Sequence, residues 1–133
     1  MIRPRLLLAD DHRETRKLLC GLLDDEFDVV ADVADGCSLV RSAEELSPDV
    51  IVTDISMPGM DGIAAATAIL RRDGAARIVL ISVHADQSMV TCGLAAGALG
   101  YVLKVAAGDD LVPAVRAALL GQRHVSGTIG YKS

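Results

Sequence analysis

The feature that most constrains this chain is an alternation of short apolar runs with stretches of helical periodicity. The runs are Arg5 to Ala9, Asp28 to Val33, Val50 to Thr53, Arg77 to Ser82 and Gly100 to Leu103. Each is short and mostly Leu, Val, Ile or Ala, as expected of strands covered on both faces. Between and after them, Leu18, Leu19, Leu22 and Leu23 form one stripe at helical spacing. Ile63, Ala66, Ile69 and Leu70 form a second, and Leu111, Val112, Val115, Ala118 and Leu119 a third. Ser38 to Leu46 and Asp86 to Ala96 complete the set of helical segments. Strand then helix, five times, is the resulting order.

A strand, a crossover helix and a parallel strand pack back on one another in one hand only, so this order predicts an α/β fold. The expected form is a flavodoxin-like doubly wound parallel sheet of five strands, order 2-1-3-4-5, with five helices. At 133 residues one domain suffices. It is expected over residues 1–121, with 122–133, which lack apolar periodicity, as a tail or the start of a linker. Aromatic residues are only 2% of the chain, so the core must be built from aliphatic side chains. The net charge of -5 argues against a broad nucleic-acid surface. Cys20, Cys37 and Cys92 are odd in number and lack metal-ligand spacing, which predicts plain thiols. The apolar residues after Arg5 are interrupted at Asp10 and Asp11, too soon for a signal peptide. No apolar run reaches the roughly 20 residues of a membrane span, and a cytoplasmic location is expected.

In open parallel sheets ligands bind beyond the carboxyl ends of the strands. Asp10 and Asp11 follow the first predicted strand, Asp54 ends the third, Ser82 the fourth and Lys104 follows the fifth. Three carboxylates at one sheet edge repel one another and call for a cation, and an oxygen-only donor set suits Mg²⁺. Asp11, Asp54 and the backbone carbonyl of Ser56 are the expected direct ligands, with Asp10 acting through water. Asp54 is the expected nucleophile towards a phosphoryl donor. Lys104 can reach a phosphoryl oxygen as a compact ammonium, and Ser82 can offer a hydroxyl to it. Taken singly these residues have plainer readings: Asp10 and Asp11 as helix caps, Asp54 as a turn starter, Ser82 bonded to backbone, Lys104 as a solvated charge. Their joint placement favours the site.

Asp10-Asp11-His12, Asp54 with Met57-Pro58-Gly59-Met60-Asp61-Gly62, Ser82-Val83-His84 and Gly100-Tyr101-Val102-Leu103-Lys104 together resemble the response-regulator receiver family of two-component signalling. The resemblance implies phosphotransfer from a sensor histidine kinase to Asp54, a Mg²⁺ site at Asp10, Asp11 and Asp54, and a switch through Ser82 and Tyr101. It implies a phosphoacceptor that promotes its own phosphorylation and dephosphorylation rather than a classical enzyme, and raises homodimerisation on phosphorylation. Ala95 to Tyr101, Val105 in place of a common proline, and Leu119 to Ser126 resemble the NarL/LuxR branch. Full-length members of that branch carry a helix-turn-helix, so DNA contact would belong to a domain absent from this chain.

Two other functions compete. A phosphohydrolase of the haloacid-dehalogenase type also uses a strand-end aspartate and Mg²⁺, but needs a second aspartate two residues on, where Ser56 stands after Asp54. A receiver working without phosphorylation would not need the intact set of Asp10, Asp11, Asp54, Ser82 and Lys104.

Overall fold

The computed structural model describes residues 2–126. The elements are β1 (Arg5–Ala9), α1 (Arg13–Leu23), β2 (Asp28–Val33), α2 (Gly36–Leu46), β3 (Val50–Asp54), α3 (Gly62–Arg72), β4 (Ile78–Ser82), α4 (Gln87–Ala95), β5 (Gly100–Leu103), α5 (Ala107–Leu119) and β6 (His124–Val125). A 3-10 turn, Lys104–Ala106, joins β5 to α5. The strands form one parallel sheet in the order β2-β1-β3-β4-β5-β6.

The alternation of side chains along each strand sorts the core into two layers. Leu7, Ile51, Ile78, Leu80 and Tyr101 face α2, α3 and α4, meeting Leu39, Ala65, Ile69 and Val90. Leu6, Leu8, Val52, Val79, Ile81 and Val102 face the other way, against Leu19 and Leu23 of α1 and Leu111, Val115 and Ala118 of α5. Full burial of an aliphatic side chain contributes about 1.5–3 kcal/mol, so the aliphatic core suffices without tryptophan.

Three helices begin where an aspartate side chain takes a free amide: Asp35 accepts from Ser38 N at 2.7 Å, Asp61 from Ala64 N at 2.8 Å and Asp86 from Met89 N at 3.3 Å. In α1 the cap position is His12, with no side-chain cap. Asp10 and Asp11 are therefore not the caps of α1, which frees them for other work.

The structure corrects two expectations. The sheet has six strands, not five, because His124–Val125 pairs with the edge of β5. His124 N donates to Leu99 O, Ser126 N to Tyr101 O, and Leu103 N to Ser126 Oγ. A two-residue strand is too short for periodicity to show; it forms because β5 offers unpaired groups. Residues 127–133 of the expected tail lie outside the described residues. In α1 the four-leucine stripe is half core: Leu19 and Leu23 are buried, whereas Leu18 is 71% exposed and Leu22 also faces outward. Adjacent residues lie about 100° apart on a helix, so the sheet takes one leucine of each pair.

Two glycines bring chain segments closer than any side chain would allow. A Cβ on Gly62 would stand 2.1 Å from the carbonyl oxygen of Asp54, and one on Gly36 would stand 2.2 Å from that of Met60. Both seat the loop that follows β3. Gly59 in that loop needs its freedom differently, with φ at +72°.

Candidate functional site

The carboxyl ends of β1, β3 and β5 bring Asp10, Asp11, Asp54 and Lys104 together. Lys104 Nζ donates to Asp54 Oδ2 at 3.0 Å and stands 3.0 Å from Asp10 Oδ2. The second approach is an ion pair without hydrogen-bond alignment, so Asp10 Oδ2 has charge compensation but no hydrogen-bond partner. Asp10 is fully buried and Asp54 is 3% exposed. Asp10 Oδ1 accepts from His12 N at 2.9 Å, turning the chain sharply into α1. Asp11 Oδ1 is likewise buried and without a hydrogen-bond partner.

The electrostatics follow from this burial. Desolvation pushes the Asp54 carboxyl above its usual range; Lys104 opposes the shift, and the neighbouring Asp10 and Asp11 add to it. Burial would depress Lys104, but its contacts with Asp54 and Asp10 prevail and hold the ammonium above its ordinary value. One lysine thus pairs with two of three clustered carboxylates in a place that penalises uncompensated charge. One carboxylate oxygen each from Asp10, Asp11 and Asp54, with a nitrogen of His12, lie within 4.8 Å of one another. Two buried carboxylate oxygens lacking hydrogen-bond partners, in a donor set dominated by hard oxygen, fit a small divalent cation such as Mg²⁺.

Ser82 and Tyr101, on the neighbouring strands β4 and β5, are both bonded to His84 in the loop after β4. Ser82 is buried at the end of β4, and its Oγ accepts from His84 N at 2.9 Å. The hydroxyl is thus held by the loop after β4 in this conformation. Tyr101 is fully buried and its hydroxyl donates to His84 O at 2.8 Å, so it is not an edge residue with its polar tip in water. Burial raises the Tyr101 phenol above its usual range, with the Ser82 hydroxyl opposing. Ser56 is exposed in the loop after β3.

Arg16 escaped the sequence reading. From α1 it donates through Nη1 to the carbonyl of Asp10 at 2.8 Å and through Nε to Asp32 Oδ1 at 2.8 Å, tying the acidic turn to the end of β2. The only sequence signal was an arginine one helical turn after His12, which is indistinguishable from a surface charge. The three cysteines are free, as expected; Cys37 and Cys92 are exposed and Cys20 is partly covered.

A doubly wound parallel sheet with a lysine-closed acidic pocket beyond its central strands defines a class of α/β proteins with a polar site at the topological switch. Within that class the response regulator receiver domain profile matches residues 6–116, and the chain belongs to this family. It is 37% identical over 130 residues to the transcriptional regulatory protein LiaR of Bacillus subtilis, a match covering 96% of this chain and 62% of LiaR. The chain therefore spans less than two thirds of that relative. Among solved structures it resembles a two-component response regulator of the LuxR family from Aurantimonas, with a TM-score of 0.92 and 36% identity over 96% of this chain and 93% of that one. The receiver domain of the NarL response regulator from Mycobacterium tuberculosis superposes with a TM-score of 0.87 at 31% identity, covering 92% and 100%. The resemblance to the NarL/LuxR branch seen in the sequence is thereby upheld. Among the described residues no helix is long and apolar enough to cross a membrane.

Proposed function

We propose that this chain accepts a phosphoryl group on Asp54 from the phosphohistidine of a sensor histidine kinase and relays the event as a change of shape. The observation that carries this reading is the pairing of Lys104 Nζ at 3.0 Å with both Asp54 and Asp10 at the ends of three parallel strands. A carboxylate oxygen of Asp54 attacks phosphorus, the P–N bond breaks, and the departing imidazole keeps the electron pair and takes a proton from solvent. Lys104 is placed to pair with an oxygen of the transferred group. Asp10, Asp11, Asp54 and the carbonyl of Ser56 are the residues that would hold Mg²⁺. When bound, that ion supplies positive charge to offset the phosphoryl oxygens.

Phosphorylation adds about 1.5 to 2 negative charges and strong acceptor oxygens next to Ser82. The Ser82 hydroxyl then has an acceptor for its proton, and a move of Oγ towards that acceptor and away from His84 N would free the loop that also holds the Tyr101 hydroxyl. The affected surface lies along α4, β5 and β6. Similarity to LuxR-family regulators supports control of transcription through a DNA-binding domain outside this chain, with homodimerisation on phosphorylation.

The test is intact mass after incubation with acetyl phosphate and Mg²⁺. Wild type is expected to gain one phosphoryl adduct, whereas an Asp54→Ala variant and a chelated sample gain none. No adduct on wild type under any condition would instead indicate a receiver that works without phosphorylation. Solution mass with and without beryllofluoride tests the dimer, which an unchanged monomer would overturn.

A further inference from the structure

His12 has no part in the phosphotransfer described above, yet it stands at the edge of the acidic pocket. Its side chain is 70% exposed, and Nδ1 lies 3.1 Å from Asp11 Oδ1 and 3.7 Å from Asp10 Oδ1. Neither approach satisfies Asp11 Oδ1, which remains buried and without a hydrogen-bond partner. The backbone under the ring is fixed, because His12 N donates to Asp10 at 2.9 Å. A nitrogen of His12 also lies within 4.8 Å of carboxylate oxygens from Asp10, Asp11 and Asp54.

One of these separations is that between neighbouring ligands of one ion. In an octahedral sphere of radius about 2.1 Å, neighbouring ligand atoms are about 3.0 Å apart and opposite ones about 4.2 Å apart. The distance of 3.1 Å from His12 Nδ1 to Asp11 Oδ1 is that of an adjacent pair. A second observation points to the same ion: Asp11 Oδ1, the oxygen nearest that nitrogen, is buried and lacks a hydrogen-bond partner, whereas Asp10 Oδ2 is paired with Lys104 Nζ at 3.0 Å.

We propose that His12 contributes an imidazole nitrogen to the cation site, so that this chain discriminates in favour of borderline divalent ions such as Co²⁺ and Ni²⁺ over Mg²⁺ more strongly than its carboxylates alone would. The inference rests on the cation site proposed above and adds a ligand and a metal preference to it. Mg²⁺ is content with oxygen and water, whereas imidazole binds later first-row ions well. The ring's exposure leaves it free to turn towards a larger or softer ion, or to stay in solvent when Mg²⁺ is bound.

The test is calorimetric titration of the chain with Mg²⁺ and, separately, with Co²⁺. Wild type is compared with His12→Asn, His84→Asn and Asp11→Asn, after circular dichroism has shown each to be folded. His12→Asn is expected to weaken Co²⁺ by about tenfold or more while leaving Mg²⁺ within about twofold. With Co²⁺ bound, wild type should show a hyperfine-shifted, exchangeable imidazole N–H proton resonance that His12→Asn lacks and His84→Asn retains. Equal weakening of both ions, unchanged Co²⁺ affinity, or loss of the resonance in His84→Asn would overturn the role given to His12. Failure of the underlying site looks different: Asp11→Asn would then bind both ions as tightly as wild type.

Discussion

The two ends of the sheet handle charge in opposite ways. At the amino end, charges are exposed and matched. Asp49 accepts from Arg5 N at 2.8 Å, the Arg5 guanidinium donates to Leu46 O at 2.6 Å, and Arg72 forks onto Glu44, with one bond of 2.7 Å. At the carboxyl end, Asp10 and Asp54 are buried, Asp10 Oδ2 and Asp11 Oδ1 lack hydrogen-bond partners, and one lysine pairs with two of three clustered acids. The amino end is thus arranged for little more than solubility and loop placement. The carboxyl end holds like charges together in a way that lowers stability but leaves acceptors ready for a cation or a phosphoryl group.

The strongest challenge to that contrast is Lys104→Met in the presence of chelator. It leaves buried carboxylates without their cation and should cost about 3 kcal/mol in urea unfolding; a loss below about 1 kcal/mol would mean that the acids are better solvated than their burial implies. Next comes Gly62→Ala, which places a methyl group 2.1 Å from the Asp54 carbonyl. It should cost about 2 kcal/mol and shift the amide resonances of Ile55 and Ser56, because backbone, not a flexible side chain, must move. An unchanged spectrum would show that the loop after β3 is looser than the packing indicates.

A smaller effect sharpens the contrast within the carboxyl end itself. Asp35 is half-buried, and the backbone and hydroxyl of Ser38 lower its carboxyl from the ordinary 3.8. A carboxylate with a depressed folded-state value contributes stability that is present above the unfolded value and lost as pH falls through the folded one. The gap between wild type and Asp35→Ala in urea midpoint should therefore be full at pH 7 and shrink below about pH 3.8. Asp35→Asn, which can still cap α2, should keep much of the stability. A gap independent of pH would assign the cap to something other than charge. The smallest effect belongs to the amino end: Arg72→Ala, removing a pair whose side chains are 60% and 51% exposed, should cost about 0.5 kcal/mol or less. A cost rivalling that of Lys104→Met would abolish the distinction between the two ends.

Much of this arrangement is legible in the sequence because it depends on short-range pattern. The aliphatic runs announce β1, β3, β4 and β5, and the residues directly after them identify Asp10, Asp54, Ser82 and Lys104 as neighbours at one edge once the order of strands is inferred. The four leucines of α1 mislead, since composition marks an apolar segment but only the angle of the helix on the sheet chooses Leu19 and Leu23 over Leu18 and Leu22. The Arg16 contacts and the β6 pairing were hidden for a related reason: each depends on a partner distant along the chain, and neither alters local periodicity.

By itself, then, the sequence determined the alternation of strands and helices, the aliphatic two-layered core and the candidate acids and lysine, since each is written in residue type and spacing. Tertiary structure alone decided that Ser82 Oγ is held by His84 N, that Gly62 lies against the Asp54 carbonyl, that His124–Val125 extends the sheet, and which carboxylate oxygens are left without partners. Those outcomes turn on distances of a few tenths of an ångström between groups far apart in the chain, and only the packed fold sets such distances.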